Sequence, residues 1–163
     1  MLMEPTPSRR IRKAVPSTSS DKPALRQNKL DENVGYQLRM AYVAVRRHFE
    51  TAMAKLDLTQ KQTSVLWLID ANSGVSQIAL ANELSMDRAS MMAIVDRLEE
   101  RGLIVRKRSA EDGRRQELYV TAKGRKVLAQ AKVAILDHEK WMTAKFSRAE
   151  LNAFVGALKR FTR

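Results

Sequence analysis

The chain has 163 residues, 44% of them hydrophobic, which suits one core of ordinary size with or without a tail. Its 30 Lys and Arg against 18 Asp and Glu leave a formal charge of +12, which calls for a polyanionic partner, either nucleic acid or an anionic membrane surface. The absence of cysteine excludes disulfides and thiol chemistry. No segment nears the roughly 20 apolar residues that span a bilayer, and the opening residues lack the apolar core of a secretory signal, so a cytoplasmic protein with no membrane partner is expected.

Residues 1–28 carry four prolines (Pro5, Pro7, Pro16, Pro23) and a Ser-Thr-Ser-Ser run, with almost no apolar periodicity. Such a stretch buries too little surface to offset its ordering entropy, so it reads as a solvated tail. Arg9, Arg10, Arg12 and Lys13 within it would alternatively make an arm that reaches DNA phosphates. The remainder, 29–163, reads as a single domain.

From Asp31 to Lys55 the spacing predicts a long helix. Val34, Leu38, Ala41, Val45, Phe49, Ala52 and Leu56 follow one another in steps of three and four. A small domain rarely needs so long a seam for its own core, so it is expected to pack against a second subunit. Tyr36, Arg39, Tyr42 and Arg46 stand off the seam, where they would line a cavity or snorkel along the surface. Thr59 and Gln62 have the spacing of a capping box. The helix they start contains Val65, Leu66, Trp67, Leu68 and Ile69, apolar nearly all round, and should be buried; Asn72-Ser73-Gly74 ends it.

Ser76 can cap a short helix with Ile78, Leu80, Ala81 and Leu84 as its apolar positions. The Ser85-Met86 junction allows only a tight turn before Asp87, which caps a helix with Met91, Ile94, Val95 and Leu98 on one stripe. Gly102 follows where a left-handed helix terminator belongs. Leu103–Lys107 reads as a strand, Ser109–Arg115 as a turn and Glu117–Thr121 as a second strand. Two short helices joined by a tight turn, then a hairpin, outline a winged helix-turn-helix. Ordinary packed helices would give a similar pattern, but charge favours the winged reading. Eight basic residues (Arg101, Arg106, Lys107, Arg108, Arg114, Arg115, Lys123, Arg125) face three acids between Arg101 and Arg125.

Thr121 is the predicted cap of another long helix, Ala122 to about Lys145, with Val127, Leu128, Ala131, Ile135 and Trp141 apolar. Ser147 and Glu150 form a second capping box before a last helix bearing Leu151, Phe154, Val155, Leu158 and Phe161. The expected fold is mainly α with a small β wing: residues 58–121 as the winged helix-turn-helix, flanked by dimerisation helices in 29–57 and 122–163.

The run from Asp87 to Gly124 resembles the recognition helix and wing of the MarR family of bacterial transcription factors. Asp112 and Arg114 stand where that family has Asp-x-Arg. Val120-Thr121 stands for Leu-Thr, and Lys123-Gly124 opens the next helix. The resemblance implies a homodimer on double-stranded DNA, with terminal helices interlocked across a two-fold axis. It also implies a small aromatic or acidic effector bound between those helices and the winged helix; the off-seam Arg39 and Arg46 and the overall basic charge would suit a carboxylate or a phosphate-bearing ligand such as an acyl-CoA thioester. Arg88, Ser90, Met92 and Ala93 would then approach base edges, with Ala89 and Arg97 on the same helix and Ser76 and Gln77 before it. Met92 and Ala93 offer only apolar contact, for example to thymine methyls. Arg106, Lys107 and Arg108 would hold phosphates, and Arg114 or Arg115 would enter the minor groove, with Asp112 as an ion-pair partner in the wing. Tyr36, Arg39, Tyr42, Arg46 and Trp67 are the candidate effector contacts.

No catalytic motif accompanies this. His48 and His138 lie far apart in sequence, and His138, in a charged helix, is expected at the surface. No metal, cofactor or enzymatic activity is expected. The competing reading is an architectural protein that coats DNA through charge alone, with no effector.

Overall fold

The computed structural model describes residues 28–110 and 115–161. The elements run α1 (Val34–Met53), α2 (Gln60–Ala71), α3 (Gln77–Glu83), α4 (Arg88–Glu100), β1 (Ile104–Arg108), β2 (Gln116–Val120), α5 (Ala122–Thr143) and α6 (Arg148–Leu158). Three-residue 3-10 turns, Leu30–Glu32 and Ala54–Leu56, flank α1. The long first helix is thus shorter than expected at both ends. Asn33 caps it by accepting from the Tyr36 N–H (3.1 Å), and Asp57 turns left-handed (φ 47°) after it.

The caps act where the sequence puts them. Thr59 and Gln62 bond reciprocally, as do Ser147 and Glu150. Ser76, Asp87 and Thr121 each accept a hydrogen bond from the backbone three residues on. The backbone N–H of Ser90, and then its hydroxyl, hold the Asp87 carboxyl below its ordinary value.

The core lies where α2, α3, α4 and the two strands meet the middle of α5. Val65, Leu66, Ile69, Leu80, Met91, Val95, Leu98, Leu103, Ile104, Leu118 and Leu128 are all essentially sealed from solvent. Phe49 and Met53 bring the C-terminal half of α1 into the same cluster. Two expected core positions stay outside it: Trp67 is 40% exposed and Ile78 54%. Both helices turn those side chains away from the cluster, Trp67 lying beneath the Lys132 ammonium at 4.7 Å.

β1 and β2 pair antiparallel with Ile104 opposite Val120 and Arg108 opposite Gln116, one residue off the predicted strand limits in each case. A bridge between Val75 and Leu118, closed by two 3.0 Å backbone bonds, fastens the start of the helix-turn-helix to β2. The wing tip at 111–114, with Asp112 and Arg114, lies outside the described residues. No helix among the described residues is long and apolar enough to cross a membrane.

Wing and α5 approach each other closely at their junction. Thr121 donates its hydroxyl to the Gly102 carbonyl (2.7 Å) and its N–H to that of Leu103 (3.0 Å). This draws α5 so close that a Cβ on Gly124 would stand 2.0 Å from the Leu103 oxygen. Helix propensity alone makes Gly→Ala stabilising by about 1 kcal/mol. Here the sign reverses: Gly124→Ala should destabilise by at least about 1–3 kcal/mol, read as a lowered denaturant midpoint at unchanged slope.

Candidate functional site

α4 shows two faces. Met91, Val95 and Leu98 are buried, while Arg88, Ala89, Met92, Ala93 and Arg97 point outward and Ser90 is half-buried. Met92, 52% exposed, contrasts with its fully buried neighbour Met91. The turn into α4 is closed by Met86 N–H on the Ala81 carbonyl (2.8 Å), with Ser85 left-handed (φ 48°). α3 therefore braces α4 from behind, leaving the outer stripe of α4 open along its length. Ser76 and Gln77, both half-buried, begin α3; the Ser76 oxygen accepts from Ala79 N–H at 3.2 Å. Arg97 makes an exposed pair with Glu100 at 3.6 Å, which water and salt screen heavily.

The basic count of the hairpin proves a poor guide to its free charge. Arg106 shares the inward face of β1 with Ile104, and its guanidinium binds both Asp96 and Glu99 of α4. Its backbone N–H also donates to Glu99 Oε1 at 3.0 Å. Burial works against this charge, but the two carboxylates outweigh it and hold the group above its ordinary value. The expectation that Arg106 grips phosphate is therefore corrected: its donors are committed to α4. Arg101 donates to the carbonyls of Leu56 (2.8 Å) and Asp57, Lys123 to that of Arg101 (2.7 Å), and Arg125 to that of Val120 (3.2 Å). Four of the seven described basic residues in this stretch thus bind the protein itself. Lys107, set over the Tyr119 ring at 5.0 Å, remains exposed, as do Arg108 and Arg115. The Ser109 N–H on the Arg115 carbonyl (2.9 Å) holds the two strands together toward the tip.

A second region lies between α1, α2 and α5. One hollow of about 230 Å³ is lined by Val45, Phe49, Gln60, Thr63, Ser64, Trp67, Ile135, His138, Glu139 and Met142. A second, also about 230 Å³, is lined by Tyr42, Arg46, Phe49, Glu50, Thr59, Gln60 and Lys61. They share Phe49 and Gln60, so a hollow holding Phe49 and Trp67 adjoins one holding Arg46, Lys61 and Glu50, the last paired with Arg46 at 3.3 Å. Of the five expected effector residues, Tyr42 and Arg46 line the second and Trp67 the first; Tyr36 and Arg39 line neither.

His138 was expected at the surface and is instead only 4% exposed. Its Nδ1 meets Nδ1 of His48 at 2.8 Å, the His48 ring stacks on Trp141 at 4.0 Å, and Phe49 meets His138 edge-on at 5.5 Å. The signal missed was helical spacing: Leu128, Ala131, Ile135 and His138 fall on one stripe of α5.

A helix-turn-helix with an exposed outer stripe on its second helix, followed by a basic hairpin, defines a winged helix-turn-helix protein. A sequence profile of the MarR family matches residues 56–115. The chain is 34% identical over 146 residues to a transcriptional regulatory protein assigned to the hcr operon of Thauera aromatica, covering 89% of this chain and 88% of that protein. The fold matches that of the transcriptional repressor CouR bound to a 23-mer DNA duplex, with a TM-score of 0.80 and 38% identity over 86% of this chain and 99% of that one. CouR bound to p-coumaroyl-CoA matches with a TM-score of 0.79 at 37% identity, over the same shares of the two chains. The chain belongs to the MarR family.

Removing Arg106 should leave Asp96 and Glu99 facing each other without their cation. Arg106→Ala is expected to cost about 2–3 kcal/mol, because the guanidinium is largely sequestered while its carboxylates remain partly exposed. Thermal melts against wild type check this; a destabilisation below about 0.5 kcal/mol would contradict the tie.

Proposed function

We propose that the chain is a homodimeric transcriptional repressor that binds a pseudo-palindromic operator and leaves it when an aromatic acyl-CoA thioester, or the related aromatic acid, occupies the hollows between α1, α2 and α5. The observation that carries this reading is the outward stripe of α4 beside a basic hairpin, on a chain that belongs to a family of transcriptional regulators. In the proposed complex α4 enters the major groove. Arg88 and Ser90 supply hydrogen bonds, and Met92 and Ala93 supply apolar contact. Ser76, Gln77, Ala89 and Arg97 lie at the groove edge. Lys107 and Arg108 hold phosphates; Arg114 or Arg115 enters the minor groove, with Asp112 beside it. Two such units bind half-sites about one helical turn, 10–10.5 bp, apart.

Dimerisation is supported by what a single chain leaves uncovered. Val34 (68%) and Leu38 (40%) of the α1 seam are exposed, and α6 buries none of its residues. An 11-residue helix is marginal alone, so Phe154, Val155 and Leu158 need a partner surface. The effector reading draws on CouR with p-coumaroyl-CoA and on the two adjoining hollows. The aromatic head fits against Trp67 and Phe49, and the anionic remainder lies past Tyr42 toward Arg46 and Lys61. Release follows if the ligand favours a half-site spacing that mismatches the operator.

Selection of bound sites from random DNA, with and without 4-hydroxycinnamoyl-CoA, tests the whole reading. A two-fold related motif should emerge, and its recovery should fall with the thioester present. Equal retention of every sequence at physiological salt would sink it. Arg88→Ala should lose about 1–3 kcal/mol of discrimination at one base pair per half-site. Arg108→Ala should instead weaken all sequences alike and flatten the slope of log K against log salt by about 0.9 for each phosphate that Arg108 neutralises. Binding titrations at three salt concentrations separate the two.

A further inference from the structure

His138 presents a buried polar group to the hollow that Phe49 and Trp67 also line. Its Nδ1 is occupied by His48 at 2.8 Å, and Nε2 has no hydrogen-bond partner among the described residues. Among those residues no buried side-chain nitrogen or oxygen is both unpartnered and sealed off, so Nε2 keeps an accessible edge. That edge belongs to a residue lining the hollow beside Phe49, Trp67 and Met142. The other buried polar group of the lining, Thr63, already donates its hydroxyl to the Thr59 carbonyl at 2.9 Å.

The Nδ1–Nδ1 contact dictates how Nε2 behaves. Two ring nitrogens at this distance share one proton, so one imidazole donates and the other accepts. When His138 accepts at Nδ1, its Nε2 carries a hydrogen to donate; when it donates at Nδ1, its Nε2 accepts. The pair therefore matches a group that can play both parts, as a hydroxyl does. Burial, then the nearness of His48, pushes His138 below its ordinary value against a weaker opposing pull from Glu139, so the ring is neutral near pH 7. Glu139 also lines this hollow and disfavours a carboxylate there.

We propose that the imidazole pair of His48 and His138 reads a hydroxyl group on the aromatic head of the acyl ligand. His138 makes the contact and His48 sets its tautomer. The inference rests on the reading of these hollows as the effector site. A ligand head without the hydroxyl would cover Nε2, displace its water and return no hydrogen bond, a loss of roughly tenfold to a hundredfold in affinity.

Calorimetric titration of the full chain with 4-hydroxycinnamoyl-CoA and with cinnamoyl-CoA, which differ only in that hydroxyl, tests this. Wild type should prefer the hydroxylated thioester by about tenfold or more. His138→Phe should erase the gap by weakening that thioester alone, with binding to the selected DNA site retained as the folding control. His48→Phe, at the half-buried partner, should narrow the gap severalfold. Equal binding of the two thioesters by wild type would overturn the inference while leaving the effector site standing, as would an undiminished gap in either variant. Failure of wild type to bind either thioester would overturn both.

Discussion

A guanidinium held between two carboxylates decides how the wing stands on the helix beside it. Arg106 projects from the inward face of β1 into Asp96 and Glu99, one turn apart on α4, and its backbone N–H joins the Glu99 carboxylate as well. A two-stranded hairpin is marginally stable by itself, so its orientation comes from what it is fastened to. Three fastenings act here: Arg106 on α4, the Val75–Leu118 bridge on the loop before α3, and Thr121 on the Gly102 and Leu103 carbonyls. Together they make α4 and the hairpin one rigid unit, so a shift of α4 carries the wing with it.

The same helix is anchored at its far end to the other half of the molecule. Arg101, which caps α4, reaches the carbonyls of Leu56 and Asp57 at the turn between α1 and α2, and Lys123 at the start of α5 holds the Arg101 carbonyl. The first of the proposed ligand hollows lies between those same three helices, and the second adjoins it between α1 and α2. A ligand that separates α1 from α5 therefore pulls on the turn that holds the end of α4. In the proposed homodimer such a ligand would alter the placement of that unit without distorting it, the way two rigid units on a shared axis change their spacing.

Much of this was legible in the residues. The caps at Ser76, Asp87, Thr121 and Ser147 act over three residues, and the stripe of α4 over seven, so local spacing contains all the information needed. Arg106 was half legible: its alternation with Ile104 puts it on the inward face, yet a count of charge makes it a phosphate contact. Trp67 shows the opposite failure. A helix apolar nearly all round reads as buried, but only the packing of α5 decides that Trp67 meets Lys132 at the surface.

The sequence by itself determined the order of elements, the cap of nearly every helix, the two faces of the reading helix and the family, because each depends on contacts within a few positions or on a contiguous motif. Only the tertiary structure decided which cations are spent inside the protein, and only it joined His48 to His138. Those two residues stand 90 positions apart. Their meeting depends on how α1 and α5 cross, and that crossing is a sum of many side-chain contacts that no local pattern records.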